Sequence, residues 1–486
     1  MRTIDHWVGG KPESGSEERR GPVWNPATGE QQAWVPLASI ADVERAVGSA
    51  AQAFASWSRV SLSRRTKILF AFRELVNARA RRIAEVISDE HGKVLADAAG
   101  EVQRGLEVIE FACGIPTLLK GDYSDEVSTG IDLFSFREPL GVVAGITPFN
   151  FPVMVPLWMA PIAIACGNTF ILKPSERDPS GSMILAQLWA EAGLPEGVFN
   201  VVHGDQTAVD ALLDHPEVAA VSFVGSTPVA QSVYARGTAA GKRVQALGSA
   251  KNHAIVLPDA DAALAAEQLA AAAFGSAGER CMAISVAVAV GAIGDDLVEA
   301  VSRGAAAVRV GPGRDPTSEI GPVITRAAKE RIIRLVRSGV EQGAHLVLDG
   351  CGLLVEGHEH GFFLGPTVMD QVRPTMQVYR EEIFGPVLAV VRVPRLEAAI
   401  ELVNANAYGN GAAIFTSSGA AAREFQRRVK VGMIGINVPV PIPMAYYSFG
   451  GWKASLFGDR HIHGPQGVSF YSREKVVTSR WPVGPP

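Results

Sequence analysis

The stretch LGVVAGITPFNFPVMVPLWMAPIAIACGNTFILKPSER, residues 140–177, carries the pattern that decides the fold. Leu140–Ile146 and Thr169–Leu172 are short apolar runs with the composition of buried strands, and Phe151–Cys166 between them has the length and spacing of a helix. Two neighbouring strands joined through a helix run parallel. The stretch therefore predicts a β-α-β unit within a parallel sheet.

The same alternation continues toward the C-terminus and divides into two blocks. In the first block, further strands are predicted at Val198–Val202, Ala219–Val224 and Arg243–Leu247, with helices at Gly181–Ala192, Thr207–Leu213 and Pro228–Ala239. In the second, strands are predicted at His253–Leu257, Ser285–Val290, Val387–Val393, Ala412–Thr416 and Met433–Asn437, with helices at Ala327–Gln342 and Leu396–Asn406. The segment from Ile40 to Ala112 has helical spacing throughout. We therefore expect two α/β regions, the first a doubly wound sheet of the dinucleotide-binding kind.

Composition restricts the class of protein. The chain has 486 residues, 47% hydrophobic and 20% charged, with a net charge of −5, which suits a globular protein and argues against nucleic-acid binding. The four cysteines are far apart and form no CxxC pair, so neither a disulfide framework nor a metal site is indicated: Cys113, Cys166, Cys281 and Cys351. The N-terminus resembles no signal or transit peptide, and no apolar stretch is long enough to span a membrane. A cytoplasmic protein without a membrane partner is expected.

Cys281 lies in FGSAGERCMA, residues 274–283, just after a helix predicted over Asp261–Ala277. A thiol acts as a nucleophile in its thiolate form, which a neighbouring positive charge such as that of Arg280 favours. The small residues around it leave room for a substrate. Many single cysteines are inert and buried, so the decapeptide by itself leaves both interpretations open.

Two polar segments follow the first two strands of the predicted parallel sheet. Asn150 in TPFNFP, residues 147–152, can donate its amide to an oxyanion, or it can bond its own backbone as turn asparagines do. Lys173 and Glu176 in ILKPSER, residues 171–177, can bond a ribose or a phosphate, or they can form a solvated turn. Ligands of open α/β sheets bind at this edge.

Two further segments have the same ambiguity. In FVGST, residues 223–227, a strand enters a helix through a glycine, which favours a pyrophosphate although the GxGxxG fingerprint is missing. In EEIFGP, residues 381–386, Glu382 can bond a second ribose while Phe384 packs on a ring, or the pair is a surface acid beside a core phenylalanine.

Taken together in this order, the motifs resemble the NAD(P)-dependent aldehyde dehydrogenase superfamily over nearly the whole chain. They are more closely similar to its CoA-acylating methylmalonate-semialdehyde (malonate-semialdehyde) dehydrogenases. The segments carrying this resemblance are Arg104–Ala112, Pro148–Pro152, Gly248–His253, Gly275–Ala283, Phe449–Lys453 and Phe470–Lys475.

The resemblance implies roles for individual residues. Cys281 would be the nucleophile that forms a thiohemiacetal and then a thioacyl enzyme, and Asn150 would hold the oxyanion. Arg104 and Arg280 would bind a substrate carboxylate, with thiolate stabilisation a secondary role of Arg280. The alternatives are a surface helix residue for Arg104 and a salt bridge to Glu279 or another acid for Arg280. The implied NAD site consists of Thr147, Phe149, Lys173, Glu176, Arg177, Ser226, Gly248, Glu382 and Phe384. Lys173 and Glu176 would bond the adenosine ribose, and Glu382 the nicotinamide ribose.

One departure from the wider superfamily concerns the second half-reaction. Hydrolytic members carry a Glu-Leu-Gly-Gly-Lys stretch whose glutamate activates water, whereas this chain has alanine at the corresponding position, Ala246. A missing general base slows attack by water about 10²- to 10⁴-fold. This favours coenzyme A as acyl acceptor and a thioester product. A hydrolytic semialdehyde dehydrogenase that uses another carboxylate is the alternative within enzymes. A catalytically silent protein that kept the fold is the alternative outside them.

The resemblance also implies an architecture and an assembly. Residues 1–120 and 140–247 would form a Rossmann-type NAD-binding domain, and residues 248–445 an α/β catalytic domain. Residues 121–139 and 446–486 would form a β-hairpin oligomerisation element. Exposed strands of this kind pair with a partner subunit, so a homotetramer or a dimer is expected. The sequence does not determine which of the two semialdehydes is the preferred substrate. It also does not determine whether the protein serves valine, inositol or β-alanine breakdown.

Overall fold

The computed structural model describes residues 1–16 and 18–481 and shows an α/β protein. Its strands are β1 (Arg2–Thr3), β2 (His6–Val8), β3 (Lys11–Glu13), β4 (Arg20–Asn25), β5 (Glu30–Pro36), β6 (Tyr123–Ser128), β7 (Ile131–Pro139), β8 (Val142–Ile146), β9 (Thr169–Lys173), β10 (Phe199–Val201), β11 (Val218–Val224), β12 (Arg243–Leu247), β13 (Asn252–Val256), β14 (Ile284–Val290), β15 (His345–Leu348), β16 (Thr367–Asp370), β17 (Val387–Val393), β18 (Tyr408–Gly409), β19 (Gly411–Phe415), β20 (Met433–Ile436), β21 (Trp452–Lys453), β22 (Leu456–Phe457) and β23 (Ser472–Ser479). Its helices are α1 (Ile40–Trp57), α2 (Leu62–Ala78), α3 (Ala80–His91), α4 (Leu95–Cys113), α5 (Ile115–Leu118), α6 (Met154–Ala165), α7 (Ser180–Glu191), α8 (Gln206–Asp214), α9 (Thr227–Ala239), α10 (Ala262–Phe274), α11 (Gly294–Ala306), α12 (Arg326–Glu341), α13 (Gln377–Arg380), α14 (Leu396–Ala405), α15 (Gly419–Arg428) and α16 (Gly464–Phe470).

The first large sheet has eight strands in the order β22-β12-β11-β8-β9-β10-β2-β3. Its five central strands, β12 to β10, run parallel, and the antiparallel strands lie outside them. The chain leaves β8 toward β9 and β10 and then returns to the other side of β8 through β11. Ligands of doubly wound sheets bind where the strand order reverses in this way, so the ends of β8 and β11 mark the cleft.

The second large sheet has seven strands in the order β15-β16-β17-β14-β13-β19-β20. All neighbouring pairs are parallel except β15 with β16. The loop that carries Cys281 enters this sheet at the start of β14. The two parallel sheets confirm the predicted fold class, and the predicted strands agree with the observed ones within one or two residues.

Helix α6 is the element that links the first sheet to the rest of the core. Its twelve residues, Met154–Ala165, are all buried, which explains why its sequence is apolar on every side. It packs against α4 in the largest hydrophobic cluster of the protein, which also contains Trp158 and Phe449. The turn before α6 therefore leads directly from the cleft of the first sheet into this core.

A separate antiparallel sheet has the order β23-β7-β6. It contains the strands expected near Gly121–Pro139 and Ser469–Val477, so the expected hairpin has a third strand from the C-terminal segment. The rest of that segment differs from the expectation, because Leu456–Phe457 pairs with β12 in the first large sheet. Residues 482–486 of the predicted element lie outside the described part of the chain. The N-terminal strands β1 to β5 were not predicted.

Candidate active site

Cys281 follows a tight turn that replaces the end of a predicted helix. The helix expected over Asp261–Ala277 ends one turn early, and in the turn 275–278 Ser276 and Ala277 have φ of 50° and 52°. Left-handed backbone is unfavourable for L-residues. Asp97 compensates, because its Oδ2 accepts hydrogen bonds of 3.0 Å from both the backbone NH and the hydroxyl of Ser276. The prediction was wrong here because the carboxylate that holds this turn comes from α4, 179 residues earlier.

A cavity of about 200 Å³ opens beside the Cys281 thiol. The guanidinium-bearing residues Arg104, from α4, and Arg280 line it. Apolar side chains make up much of the remaining wall: Phe151, Met154, Trp158, Val440, Ile442 and Phe449. The structure thus brings one thiol and two guanidinium groups together inside an otherwise largely apolar pocket.

The backbone at the nucleophile is held by two amides from the second sheet. Asn252 Nδ2 donates to the Cys281 carbonyl at 2.9 Å, and Asn410 Nδ2 donates to the same oxygen at 3.1 Å. Because the Cys281 carbonyl oxygen accepts both hydrogen bonds, the Cys281 backbone has a defined orientation. Neither asparagine was identified from the sequence.

The protonation state of Cys281 is governed mainly by burial. Burial raises the pKa of the Cys281 thiol to about 12, and the nearby Glu382 carboxylate raises this pKa as well. Arg280 lowers the pKa of the thiol, but less than the backbone NH groups of Cys281 and Met282 do. In this state of the protein the group at position 281 is therefore a thiol, and Arg280 contributes little to its activation.

Both arginines in the cavity already have an acidic partner. Arg280 Nη2 lies 2.7 Å from Asp97 Oδ1, and Arg104 Nη1 lies 3.1 Å from Glu107 Oε2. The acid that pairs with Arg280 is thus Asp97 and not the adjacent Glu279, which is buried and whose pKa burial raises to about 8. Because a guanidinium has five N–H donors, each arginine retains donors for a further carboxylate.

Asn150 lies at the carboxyl end of β8, close to the reversal of the strand order. Only 4% of its surface is exposed. Its neighbour Phe151 lines the cavity, whereas Asn150 itself is not among the residues that line it. Lys93 Nζ donates to the Asn150 carbonyl at 2.6 Å, which fixes the backbone of this turn.

Predicted cofactor residues from three segments of the sequence lie close together in the structure. Phe149 and Phe384 form an edge-to-face pair with ring centres 5.8 Å apart, and the Arg177 guanidinium lies 5.6 Å from the centre of the Phe149 ring. Glu382 Oε1 accepts a hydrogen bond of 2.9 Å from the backbone NH of Ala250. Burial raises the pKa of Glu382, while that NH lowers it.

The remaining predicted cofactor residues lie along the first sheet. Lys173 Nζ is 3.5 Å from Glu176 Oε2, and burial lowers the pKa of Lys173. Ser226 precedes α9 without forming a side-chain capping bond to the part of the chain described. At Gly248 a Cβ would come within 2.8 Å of the Ala454 carbonyl oxygen, so only glycine fits.

The last two residues of β12, one of them assigned from the sequence to the place of the hydrolytic base, face opposite sides of the first sheet. Neighbouring residues of a strand face opposite sides of the sheet. Ala246 packs with Val221 in the core on one side of β12, whereas Leu247 belongs to the core that contains Cys281. Position 247, and not 246, therefore faces the nucleophile. Since neither residue is acidic, the conclusion that this strand supplies no base is unchanged.

Asp97, Glu101 and Arg104 were partly missed by the sequence analysis, which identified only the arginine. All three lie on α4 and line the cavity. Their spacing of four and then three residues places them on one face of the helix. Charged residues repeated at this spacing on one face of a helix are the signal that could have identified them.

A thiol and two arginines thus share a cavity beside the cleft of a doubly wound sheet, an arrangement that suits an oxidoreductase acting on a carbonyl compound. The chain belongs to the aldehyde dehydrogenase family, whose profile matches residues 13–477.

Two characterised groups of relatives are similar over the whole chain. It is 54% identical to malonate-semialdehyde dehydrogenase of Pseudomonas aeruginosa over 99% of this chain and 97% of that protein. The methylmalonate-semialdehyde dehydrogenase structure from Oceanimonas doudoroffii has 55% identity and a TM-score of 0.98, covering 100% of this chain and 99% of that one. A Sinorhizobium meliloti structure assigned to the same activity and complexed with NAD has 51% identity and a TM-score of 0.99, with coverage of 100% and 99%.

Proposed function

We propose that this chain oxidises malonate or methylmalonate semialdehyde, with NAD as hydride acceptor and coenzyme A as acyl acceptor. The products are CO₂, NADH and acetyl-CoA or propanoyl-CoA. The observation that carries the proposal is the cavity shared by the Cys281 thiol and the guanidinium groups of Arg104 and Arg280. In these substrates a single carbon separates the aldehyde from a carboxylate, which an arginine fork binds in preference to a neutral group. Relatives that carry these substrate names support the same choice.

In the first half-reaction the Cys281 thiol loses its proton to solvent, Sγ bonds to the aldehyde carbon, and the carbonyl oxygen becomes an oxyanion. The Asn150 side-chain amide and the Cys281 backbone NH stabilise this charge. Bound NAD supplies the oxidising power by accepting a hydride. Arg104 and Arg280 hold the carboxylate meanwhile, which leaves a thioester between Cys281 and the carboxylated acyl group.

The second half-reaction follows from the chemistry of this thioester. When the bond to the carboxylate carbon breaks, CO₂ leaves and the electron pair moves onto the thioester carbonyl, after which a proton is taken up at carbon. The coenzyme A thiolate then attacks the carbonyl and releases the Cys281 sulfur. Because neither Ala246 nor Leu247 is an acid, water has no base from β12, and a thiol nucleophile is favoured.

The carboxyl-terminal edge of the first sheet fits NAD. Among the residues described, the Thr147 hydroxyl is buried without a hydrogen-bond partner, as expected for a group that bonds a ligand. Lys173 and Glu176 would bond the adenosine ribose, and Glu176 would repel the additional phosphate of NADP. Glu382 would bond the nicotinamide ribose. The remaining proposed cofactor residues are Phe149, Arg177, Ser226, Gly248 and Phe384.

We also propose the predicted domain roles, with Leu456–Phe457 assigned to the sheet of the NAD-binding domain, and an assembly into a homotetramer or dimer. All residues of β6 are exposed, and the sheet it belongs to exposes Tyr123, Val127 and Val476. An exposed edge strand with apolar side chains is the type of surface that pairs with another subunit. The four cysteines are unpaired thiols, which supports a reducing compartment such as the cytoplasm. No helix in the described ranges has the length and apolarity to cross a membrane.

An assay of both semialdehydes with and without coenzyme A tests this function. We expect steady NADH formation and the acyl-CoA product, identified by mass, only when coenzyme A is present, and no turnover in Cys281→Ala. Propanal serves as the neutral comparison substrate. Steady NADH formation with a free acid product, unaffected by omission of coenzyme A, would instead establish the hydrolytic alternative.

A further inference from the structure

Lys93 is a buried charged residue that the proposed reaction does not use. It lies between α3 and α4, and its side chain has no exposed surface. Its Nζ is 2.8 Å from Glu101 Oε2, 2.6 Å from the Asn150 carbonyl oxygen and 4.4 Å from the centre of the Phe151 ring. An ammonium group has three donors, and two of them are directed at a carboxylate and at the backbone of the proposed oxyanion residue.

Glu101 extends this contact to the next element of the chain. Its Oε1 accepts hydrogen bonds from the backbone NH groups of Val153, at 2.8 Å, and Met154, at 3.1 Å. These groups stand at the start of α6, and the valine before the helix has no polar side chain to cap it. A carboxylate at a helix N-terminus is also electrostatically favourable. Glu101 therefore fixes where α6 begins.

The pair thus holds the Asn150 turn from both sides. Lys93 fixes the backbone carbonyl of Asn150, and Glu101 fixes the helix that starts three residues after Phe151. The direction of a side-chain amide depends on the orientation of its own backbone. Since an oxyanion donor acts only when it is oriented before the reaction, this backbone has to be held in place.

We propose that Lys93 and Glu101 are positioning residues that orient the Asn150 amide toward the oxyanion formed at Cys281. The inference rests on the proposed function, because it requires Cys281 as nucleophile and Asn150 as oxyanion donor. Stability alone does not account for the pair, since replacing a buried ion pair by neutral groups is often neutral or stabilising.

Two reactions of the same thiol separate positioning from thiol reactivity, and neither needs NAD. With p-nitrophenyl acetate, Cys281 Sγ bonds to the carbonyl carbon through an oxyanion, p-nitrophenolate leaves with the electron pair, and the thiol proton goes to solvent. With iodoacetamide, the sulfur displaces iodide from a saturated carbon and no oxyanion forms. The ratio of the two rates, each corrected with Cys281→Ala, reports the oxyanion donors alone.

Lys93→Met removes the donor but leaves Glu101 charged and buried, which can impair folding. The double variant Lys93→Met/Glu101→Gln removes both charges, and the glutamine oxygen can still accept from the start of α6. Lys242→Met is the matched control, since Lys242 is also buried and donates to two backbone carbonyls, those of His215 and Val218. Lys242 precedes β12, whereas Gly248 follows the opposite end of that strand.

We expect Asn150→Ala to lower the ratio by about 10²-fold. The folded double variant is expected to lower it by about 10-fold to 10²-fold, the loss associated with misplacement of a catalytic group. In the Asn150→Ala background the double variant should cause no further loss, and Lys242→Met should leave the ratio unchanged.

Failure of the positioning role and failure of the proposed role of Asn150 give different results. A double variant that is folded and keeps the wild-type ratio, or one that adds a further loss in the Asn150→Ala background, overturns the positioning role. A wild-type ratio in Asn150→Ala instead overturns the proposed role of Asn150, and the inference with it.

Discussion

Removal of the two cavity arginines gives the most quantitative test of the proposed substrate class. A hydrogen bond to a charged group contributes about 1.5–3 kcal/mol. The Arg104 side chain is 40% exposed and the Arg280 side chain 23%. Solvent screens the more exposed group more strongly, so Arg104 is expected near the lower limit and Arg280 near the upper.

These energies convert to rates at about 1.4 kcal/mol per factor of ten. Arg104→Gln should therefore lower kcat/KM for malonate semialdehyde about 10-fold, and removal of Arg280 about 10²-fold. The loss should be much smaller for propanal, which lacks the carboxylate. Because Arg280→Gln by itself would leave Asp97 without its partner, it is combined with Asp97→Asn.

The measured quantity is kcat/KM for malonate semialdehyde divided by that for propanal. Arg73→Gln is a matched control, since Arg73 pairs with Glu110 of α4 on the protein surface and does not line the cavity. We expect its ratio to equal that of the wild type. If both cavity variants lower the rates with the two aldehydes equally, the arginines do not bind a substrate carboxylate, and the reasoning from the cavity is wrong.

Three further predictions follow from the loop that carries the nucleophile. Burial raises the pKa of Cys281 to about 12. The rate of Cys281 alkylation by iodoacetamide should therefore rise continuously from about pH 7 to about pH 10, because the thiolate fraction grows over this range. A rate that becomes constant below about pH 9 would contradict this. Glu382→Gln removes a charge that raises the pKa of Cys281, so it should accelerate alkylation at fixed pH, and slower alkylation would show that Glu382 does not act on the thiol. Gly278→Ala should lower the urea midpoint of unfolding more than Gly193→Ala, although both glycines have positive φ. At Gly278 the new Cβ would lie 2.1 Å from the Gly385 carbonyl oxygen, whereas at Gly193 no atom of the described residues lies within 4 Å. Backbone strain alone accounts for about 1–2 kcal/mol in each, so equal midpoints would mean that the close approach at Gly278 relaxes.

The large elements could be predicted because their signals are local. Buried parallel strands such as Thr169–Lys173 are continuous apolar runs, and their alternation with helices defines the sheet type without knowledge of any contact. The N-terminal strands were missed because β1 to β3 have only two or three residues, while β4 and β5 mix polar with apolar residues and so lack a continuous apolar run. The early end of α10 was missed because the bonds that hold the following turn come from Asp97 on another helix.

The candidate site also combines features that are visible in the sequence with features that depend on tertiary packing. Cys281 and the neighbouring Arg280 are recognisable in the sequence because their chemistry and spacing are contained in a few residues. The packing of helices and sheet faces decides two other features of the site. Arg280 pairs with Asp97, 183 residues away, and Leu247 rather than Ala246 lies on the Cys281 side of the sheet.

The sequence by itself determined the fold class and the absence of an acid at positions 246 and 247, since each is a property of residue type and local periodicity. Only the tertiary structure decided what surrounds these groups. It buries the thiol and so raises the pKa of Cys281, and it places Lys93 against the carbonyl of Asn150, 57 residues further along the chain. Burial and long-range hydrogen bonds arise when distant segments pack together, and no local pattern encodes which partner each segment will meet.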